Sequence, residues 1–390
     1  MANHCRKLAR QASSEPVIAK YATTQTLFQL SGNSGYHWLE FAPFSPHAHV
    51  ALGKNMKPND FSDARVLVTG GAGFIGSALV WALNRRGCER IVVCDRLGTD
   101  ERWRNLTPLR FADYVEADDL LPRLQSGVLG KYDLVLHMGA CSSTTETDAS
   151  FLIRNNYEFT KELATWALGQ KTRFVYASSA ATYGDGSAGM DDDDGELDKL
   201  RPLNMYGYSK HLFDLHAKRA GFLNRMVGLK YFNVFGPNEG HKGDMRSLVH
   251  KSTAQVQAGG VIRLFKSYRS DFRDGEQKRD FLYVKDAVAM TLHLAASKKA
   301  GGLFNIGCGK ARTWLDLARA VFAALKRKPK VEFIEMPEAI RDKYQYFTQA
   351  NLARLRAAGY TAPVTSLEDA VSDYVRNYLV PGKRLDPAVA

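Results

Sequence analysis

The chain has 390 residues, room for about two domains and for a core that needs no covalent staples. Its 45% hydrophobic and 24% charged content is that of an ordinary soluble globular protein, and no apolar run is long enough to span a bilayer. The formal charge of +12 raises nucleic acid as a partner, but Lys and Arg are dispersed among acids without a sustained basic helix or an aromatic RNA-binding motif, so an anionic small-molecule ligand explains it better. Cys5, Cys88, Cys94, Cys141 and Cys308 are odd in number and scattered without a C-x-x-C pair. That pattern speaks against a zinc site and a disulfide framework, no metal is expected, and a reducing cytoplasm fits it best.

Residues 1–62 mix Ser, Pro, Gly, Asn and His without clear periodicity and are expected to form a poorly ordered extension. A basic start (Arg6, Lys7, Arg10) resembles a transit peptide only loosely, and a start codon near Met56 is an alternative origin for the organised part. From Arg65, short β-rich runs alternate with longer amphipathic segments. Residues 66–69, 91–94, 134–138 and 174–177 read as strands, with helices over 74–86 and 151–168 between them. A further strand over 226–231 follows a helix that begins near Tyr206. This alternation predicts an α/β fold, a Rossmann-type doubly wound parallel sheet spanning residues 63–236. Beyond Gly236 the alternation weakens, with helices over 247–258, 284–296, 313–326 and 367–378 and a short strand over 261–265. Residues 237–380 are therefore expected to form mainly a smaller substrate-binding α/β lobe, with some segments returning to the sheet and residues 381–390 as a tail.

Gly70, Gly71, Gly73 and Gly76 directly follow the first strand and open the first helix, the context in which backbone N–H groups and the helix dipole hold a dinucleotide pyrophosphate. Gly70 serves the tight turn, Gly73 the approach of the cofactor, and Gly76 the close packing of helix on strand. Asp95 ends the next strand, where the fingerprint places an acid for the adenine ribose. Asp95 favours the free hydroxyl of NAD, whereas Arg96 and Arg102 suit the phosphate of NADP, so the sequence points both ways.

Tyr206 and Lys210 are four residues apart and share one helix face, which brings a phenol and an ammonium together. A phenol with a reference pKa of about 10 is a poor base, and a neighbouring ammonium favours its ionised form. Beside a dinucleotide, the pair can move a proton while a hydride moves. The segment from Met138 to Thr144, with Gly139, Ala140, Cys141 and Ser142, follows the 134–138 strand at a carboxyl edge and can line the same pocket. Without an activating His, Cys141 reads as pocket lining and not as a nucleophile. Ser179 or Thr182, after the next strand, can hydrogen-bond the reacting substrate oxygen. The quartet from Asp191 to Asp194 lies in a polar stretch without His or Cys and reads as a solvated loop.

Together with Asn155, Tyr231 to Pro237, Arg279 to Asp286 and Asn305 to Gly309, these motifs resemble the extended short-chain dehydrogenase/reductase group, the NAD-dependent epimerase/dehydratase family, from about Val66 to Tyr378. The resemblance implies a Ser/Thr-Tyr-Lys group that oxidises sugar carbinols. Dehydratases of the family carry an Asp-Glu pair where Ala180 and Ala181 stand here, so elimination of water lacks its acid and reversible oxidation remains.

The segments 139–146, 176–184, 204–210, 231–245 and 344–360 are similar to the branch of this family that inverts C6 of an ADP-linked heptose through a 6-keto intermediate, in the supply of lipopolysaccharide-core precursors. That branch implies bound NADP and two acid/base groups, one matching Tyr206 and the other Lys242, with Lys210 and Ser179 assisting. It implies cofactor contacts by Phe74, Ile75, Asp95, Arg96, Arg102, Asn155, Lys210 and Met138 to Ser142. Contacts to the nucleotide sugar are implied for Asn233, Val234, Asp244, Lys251, Phe265, Arg279 and Tyr344. Arg279 has the planar fork that suits a diphosphate, or it pairs with Asp280 or Asp286 instead. The branch further implies a homo-oligomer, of which a pentamer is one form, without nucleic acid or membrane insertion. Ala117 stands in place of a family lysine, Asp244 in place of a small hydroxyl residue and Lys251 in place of a His, and residues 268–277 are an insertion in the substrate lobe. The nearest rival is an epimerase acting at C4 of a UDP-hexose; a non-catalytic dinucleotide sensor is the rival of another class.

Overall fold

The computed structural model describes residues 60–341 and 343–389. The expected N-terminal extension therefore lies, up to residue 59, outside the described residues.

Seven strands form one parallel sheet. They are β1 (Val66–Thr69), β2 (Ile91–Asp95), β3 (Asp113–Glu116), β4 (Leu134–His137), β5 (Arg173–Ser179), β6 (Val227–Tyr231) and, after an excursion into the second lobe, β10 (Gly302–Ile306). Their order across the sheet is β3-β2-β1-β4-β5-β6-β10. β1, β4 and β6 are buried along their whole length, which is why they read as continuous apolar runs and not as alternating ones. Val66, Val68, Leu134 and Leu136 face one core together with the helices Phe74–Asn84 and Val284–Ala296, while Leu67 and Val135 face a second core with the helices Phe159–Gly169 and Met205–Arg219. Period-two alternation thus feeds two covered faces. Each fully buried Val or Leu adds roughly 1.5–3 kcal/mol relative to an exposed one.

Strand order reverses between β1 and β4, so the loops after them leave the sheet side by side and open a crevice at its carboxyl edge. The second lobe is built on two small sheets. β7 (Asn233–Phe235) and β11 (Ala311–Thr313) flank β9 (Lys278–Tyr283), and β8 (Ile262–Phe265) pairs in parallel with β12 (Val331–Ile334). The helix Trp314–Ala324, opened by a reciprocal Thr313 and Asp316 cap, packs against the helix Leu367–Asp373.

The helix expected over 151–168 is an α-helical turn at Ala149–Leu152, a π-helical segment at Ile153–Glu158 and the helix Phe159–Gly169. The π turn accommodates an extra residue and re-aims its side chains. Its effect is local to the site: Asn156, buried there, points at Cys141 and at the Tyr206 helix. Among the described residues, no helix is long and apolar enough to cross a membrane, and no His, Cys, Asp and Glu cluster could hold a metal ion.

Candidate active site

A cavity of about 580 Å³ occupies the crevice at the switch point. Gly70, Gly73, Phe74, Ile75 and Gly76 form one wall of it, Met138 to Ser143 another, and Ser179, Tyr206, Lys210, Asn233, Val234 and Lys242 complete it. The loop after β1 can turn straight into its helix because position 76 has no side chain. A Cβ there would lie 2.0 Å from the Gly70 carbonyl oxygen. Phe74 and Ile75 stand in the first helical turn, whose amides have no partner within the helix. Free amides at a helix start suit a pyrophosphate.

Asp95 lies at the end of β2 and does more than the fingerprint asks. Its Oδ2 accepts from the Ala72 amide at 2.9 Å and the Gly73 amide at 3.1 Å, and its Oδ1 accepts from the Arg96 amide at 2.8 Å. Burial pushes its carboxyl above the usual range, against these amides and Arg102. Arg102 lines the cavity, reaching Asp95 at 3.4 Å and Asp100 at 2.7 Å. Arg96 instead points along the surface to Asp118, outside the cavity wall.

The helix Met205–Arg219 carries the phenol and the ammonium. Asn204 caps it, its side chain accepting from the Gly207 amide at 2.8 Å, which stabilises the first turn by ~1 kcal/mol. Gly207 lets this turn seat against the end of β5, since a Cβ would sit 2.7 Å from the Ala181 carbonyl oxygen. Tyr206 is thereby brought to hydrogen-bonding contact with Ser179. Burial pushes the Tyr206 phenol up and the Ser179 hydrogen bond opposes it. Lys210, buried one turn on, is itself pulled down to about 8 by burial, with the Asp214 carboxylate resisting. The expected lowering of the phenol by the ammonium is thus not the direction in the protein alone, where burial raises Tyr206 and lowers Lys210.

Of the two hydroxyls left open by the sequence, the structure places only one at the cavity. Ser179 lines the cavity, whereas Thr182 is buried away from it, donating to the Ser179 carbonyl oxygen at 2.8 Å and accepting from the Lys230 ammonium at 2.7 Å. Lys230 also pairs with Asp214 at 3.1 Å, and Asp214 accepts from Tyr176 at 2.8 Å and Ser178 at 2.7 Å. This buried network underlies the end of β5.

Lys242 stands on the short 3₁₀ segment Gly240–Met245, with its Nζ 5.2 Å from the centre of the Phe74 ring. Burial pulls its ammonium below the usual lysine range, Glu239 opposes and Lys251 adds to the pull. Lys251 therefore acts near the site without lining it, and Asp244 is exposed. Glu239 anchors the segment by accepting from the Ser247 amide and hydroxyl, both at 2.6 Å.

Asn155 lies outside the cavity wall, donating to Asn156 at 3.0 Å. Its neighbour does the positioning: Asn156 accepts from the Cys141 amide at 2.9 Å and donates to Ser209 Oγ at 3.0 Å, tying the loop after β4 to the Tyr206 helix. An Asn pair in the sequence was the available signal. Cys141 lines the cavity. Arg279, Tyr344 and Phe265 belong to the second lobe and lie off the wall of this cavity. Among the described residues Arg279 forms no ion pair. It is buried, donates to the Lys278 carbonyl oxygen at 2.9 Å, and stacks 4.9 Å from the Tyr344 ring and 5.7 Å from Trp314. Its connection to the cavity runs through β9, where Phe281, on the same face two residues on, is in register with Asn233.

The model of the NAD dependent epimerase/dehydratase family matches residues 66–307. The ADP-L-glycero-D-manno-heptose-6-epimerase of Nitratidesulfovibrio vulgaris is 54% identical over 314 residues, 80% of this chain and 97% of that protein. The protein of the same name from Fusobacterium nucleatum is 46% identical over 324 residues, 80% of this chain and 98% of its own. The crystal structure of the Helicobacter pylori ADP-L-glycero-D-manno-heptose-6-epimerase is similar with a TM-score of 0.69 at 28% identity, covering 82% of this chain and 97% of that one. With a dinucleotide-binding sheet, a glycine cradle and a Ser-Tyr-Lys group in one crevice, the chain belongs to the NAD-dependent epimerase/dehydratase family.

Proposed function

We propose that the protein interconverts ADP-D-glycero-β-D-manno-heptose and ADP-L-glycero-β-D-manno-heptose at C6, supplying lipopolysaccharide-core precursors in the cytoplasm as a homo-oligomer. The observation that carries this reading is the convergence, in one cavity, of Tyr206 with Ser179 and of a second ionisable group, Lys242, from a different element. Inverting a carbinol through a ketone takes a hydride from one face of the carbon and returns it to the other, while the hydroxyl proton leaves and rejoins the oxygen in two orientations, and two acid/base groups on separate elements meet that need. The relatives at 54% and 46% identity bear the name of this activity.

The cavity fits a dinucleotide: Gly70, Gly73 and Gly76 line it without side chains, and the Phe74 and Ile75 turn and the buried Lys210 ammonium face it. NADP, when bound, supplies the hydride acceptor and donor. Phe74 and Ile75 would hold its pyrophosphate, Arg102 its ribose phosphate, and Lys210 its nicotinamide ribose. Tyr206 exchanges the proton of the substrate hydroxyl on one face, with Ser179 orienting the same oxygen. Lys242, eased toward its neutral form by burial, exchanges it on the other. Ala180 and Ala181 offer no acid for departing water, which keeps the ketone on the path back to the alcohol. Asn233 and Val234 line the sugar side, and Arg279 with Tyr344 would take the diphosphate.

Incubation of the purified protein with ADP-D-glycero-β-D-manno-heptose and, separately, with UDP-glucose tests the assignment. Conversion of the heptose alone is expected; turnover of the UDP sugar alone would overturn it. Tyr206→Phe and Lys242→Met should each lower turnover by about 10²–10⁴-fold while the cofactor stays bound. Wild-type rates in both would refute the two-base mechanism. Light scattering checks the oligomer, and a monomer at assay concentration would contradict that part of the proposal.

A further inference from the structure

At the amino edge of the sheet, opposite the crevice, a second cavity of about 200 Å³ opens between the start of β5 and the turns that precede β6 and β10. Arg173, Asn224, Arg225, Lys298, Lys299, Ala300 and Gly301 line it. Four of these seven residues are basic and none is acidic. Lys298 and Lys299 are exposed at the rim, whereas Arg173 is 3% exposed.

Arg173 is the unusual member. One of its guanidinium nitrogens donates to the carbonyl oxygens of Leu294 at 2.9 Å, Ser297 at 3.0 Å and Ala300 at 2.8 Å, which satisfies the end of the helix Val284–Ala296. Its Nε, equally buried, has no hydrogen-bond partner among the described residues. Burial pulls its pKa down to about 10, and among the described residues no acidic group offsets that pull. Asp133, whose carbonyl oxygen accepts from the Arg173 amide at 3.2 Å, has its carboxylate engaged by the Arg65 amide at 2.9 Å, and Asp194 is engaged by Arg354 at 3.2 Å and by the Leu303 amide at 3.3 Å. A buried cation without an anion, holding an unused donor, is costly unless something supplies the missing charge and acceptor.

We propose that this cavity binds a phosphate-type oxyanion, with Arg173 at its floor and Lys298 and Lys299 at its mouth. A guanidinium matches such oxygens geometrically, and the flanking ammonium groups add charge without demanding direction. The volume lies below the roughly 300–1,000 Å³ of cavities that enclose drug-sized ligands, so the site takes an inorganic ion or a single terminal phosphate and not a whole nucleotide. It is separate from the crevice, because none of its lining residues lines the first cavity. Binding there clamps the first residue of β5, the strand whose last residue is Ser179.

Calorimetric titration of the full chain with inorganic phosphate, at ionic strength held constant with chloride, tests the proposal. Lys298→Gln/Lys299→Gln removes the rim charges without touching the core, and Arg173→Lys keeps the charge but deletes Nε. Each should weaken phosphate binding at least roughly tenfold, the loss of about one charge-assisted hydrogen bond. A saturable rise in melting temperature with phosphate should shrink in the same variants. Phosphate held in the crevice would leave binding unchanged in both variants, and that result, like the absence of saturable binding to the wild type, would overturn the inference.

Discussion

Lys210 shows how one residue's surroundings set a measurable pH dependence. Its ammonium is buried, pulled down to about 8, with Asp214 and Cys141 holding it up and the neutral His137 beneath it. The sign follows directly: the charged form is full below that value and is lost as pH rises through it. If the ammonium holds the anionic cofactor, affinity for NADP should be level from pH 6 to 7.5 and then weaken by up to about tenfold per pH unit above 8. Lys210→Met should bind weakly with a flat profile. A wild-type profile equally flat to pH 9.5 would remove Lys210 from cofactor binding. The place of this residue beside Tyr206 in the cavity was legible from their four-residue spacing, because helical geometry alone brings the two onto one face. Its shifted pKa was not, since that depends on how much of the fold closes over it. The same limit applied to Ser179 and Thr182, three residues apart in one turn. Only the packing of β6, which brings Lys230 to Thr182, separates the hydroxyl that lines the cavity from the one that holds the strand.

At the scale of elements, apolar runs marked β1, β2, β4, β5 and β6 to within two residues at either end, because strands buried on both faces carry their signal in continuous hydrophobicity. β3 escaped that reading: it lies at the sheet edge, and only Val115 of its four residues is buried. β7, β9 and β11 form a sheet whose strands are three to six residues long, too short for a period to declare itself. The Lys230 and Asp214 pair joins β6 to the Tyr206 helix, with side chains 1% and 0% exposed, and makes the end of β5 depend on both. Lys230→Met should leave the Asp214 carboxylate buried beside Tyr176 and Ser178 without its paired ammonium, at a cost of about 3–5 kcal/mol. Urea denaturation measures this, and Lys230→Met/Asp214→Leu should recover part of the loss. A single variant within about 1 kcal/mol of wild type would show that hydrogen bonds from Tyr176 and Ser178 suffice.

Across the whole molecule, the crevice is held from behind by contacts that no local pattern could announce. Asn105 donates to the carbonyl oxygens of Ala72, in the phosphate loop, and Asn238, just ahead of Lys242, both at 3.0 Å. Asn238 accepts from the Leu385 amide at 3.0 Å, and Leu385 is fully buried. Arg384 reaches Asn105 at 3.3 Å, and the Trp81 indole donates to the Asp386 carbonyl oxygen at 3.2 Å. The C-terminal segment, which reads in the sequence as a tail, thus packs behind the two loops that frame the cofactor wall. Its partners are up to 305 residues away in the chain, beyond the reach of periodicity or spacing. Ending the chain after Lys383 should therefore do two things. It should lower stability by roughly 2–5 kcal/mol, as for the loss of one buried leucine side chain. It should also weaken NADP binding, because Asn238 and Asn105 lose what orients them against the Ala72 loop. Leu385→Ala in the full chain separates the effects: it keeps the backbone bonds to Asn238 and Trp81, so stability should fall with cofactor affinity nearly intact. If the truncated protein melted and bound NADP like the wild type, the brace would have no part in forming the site.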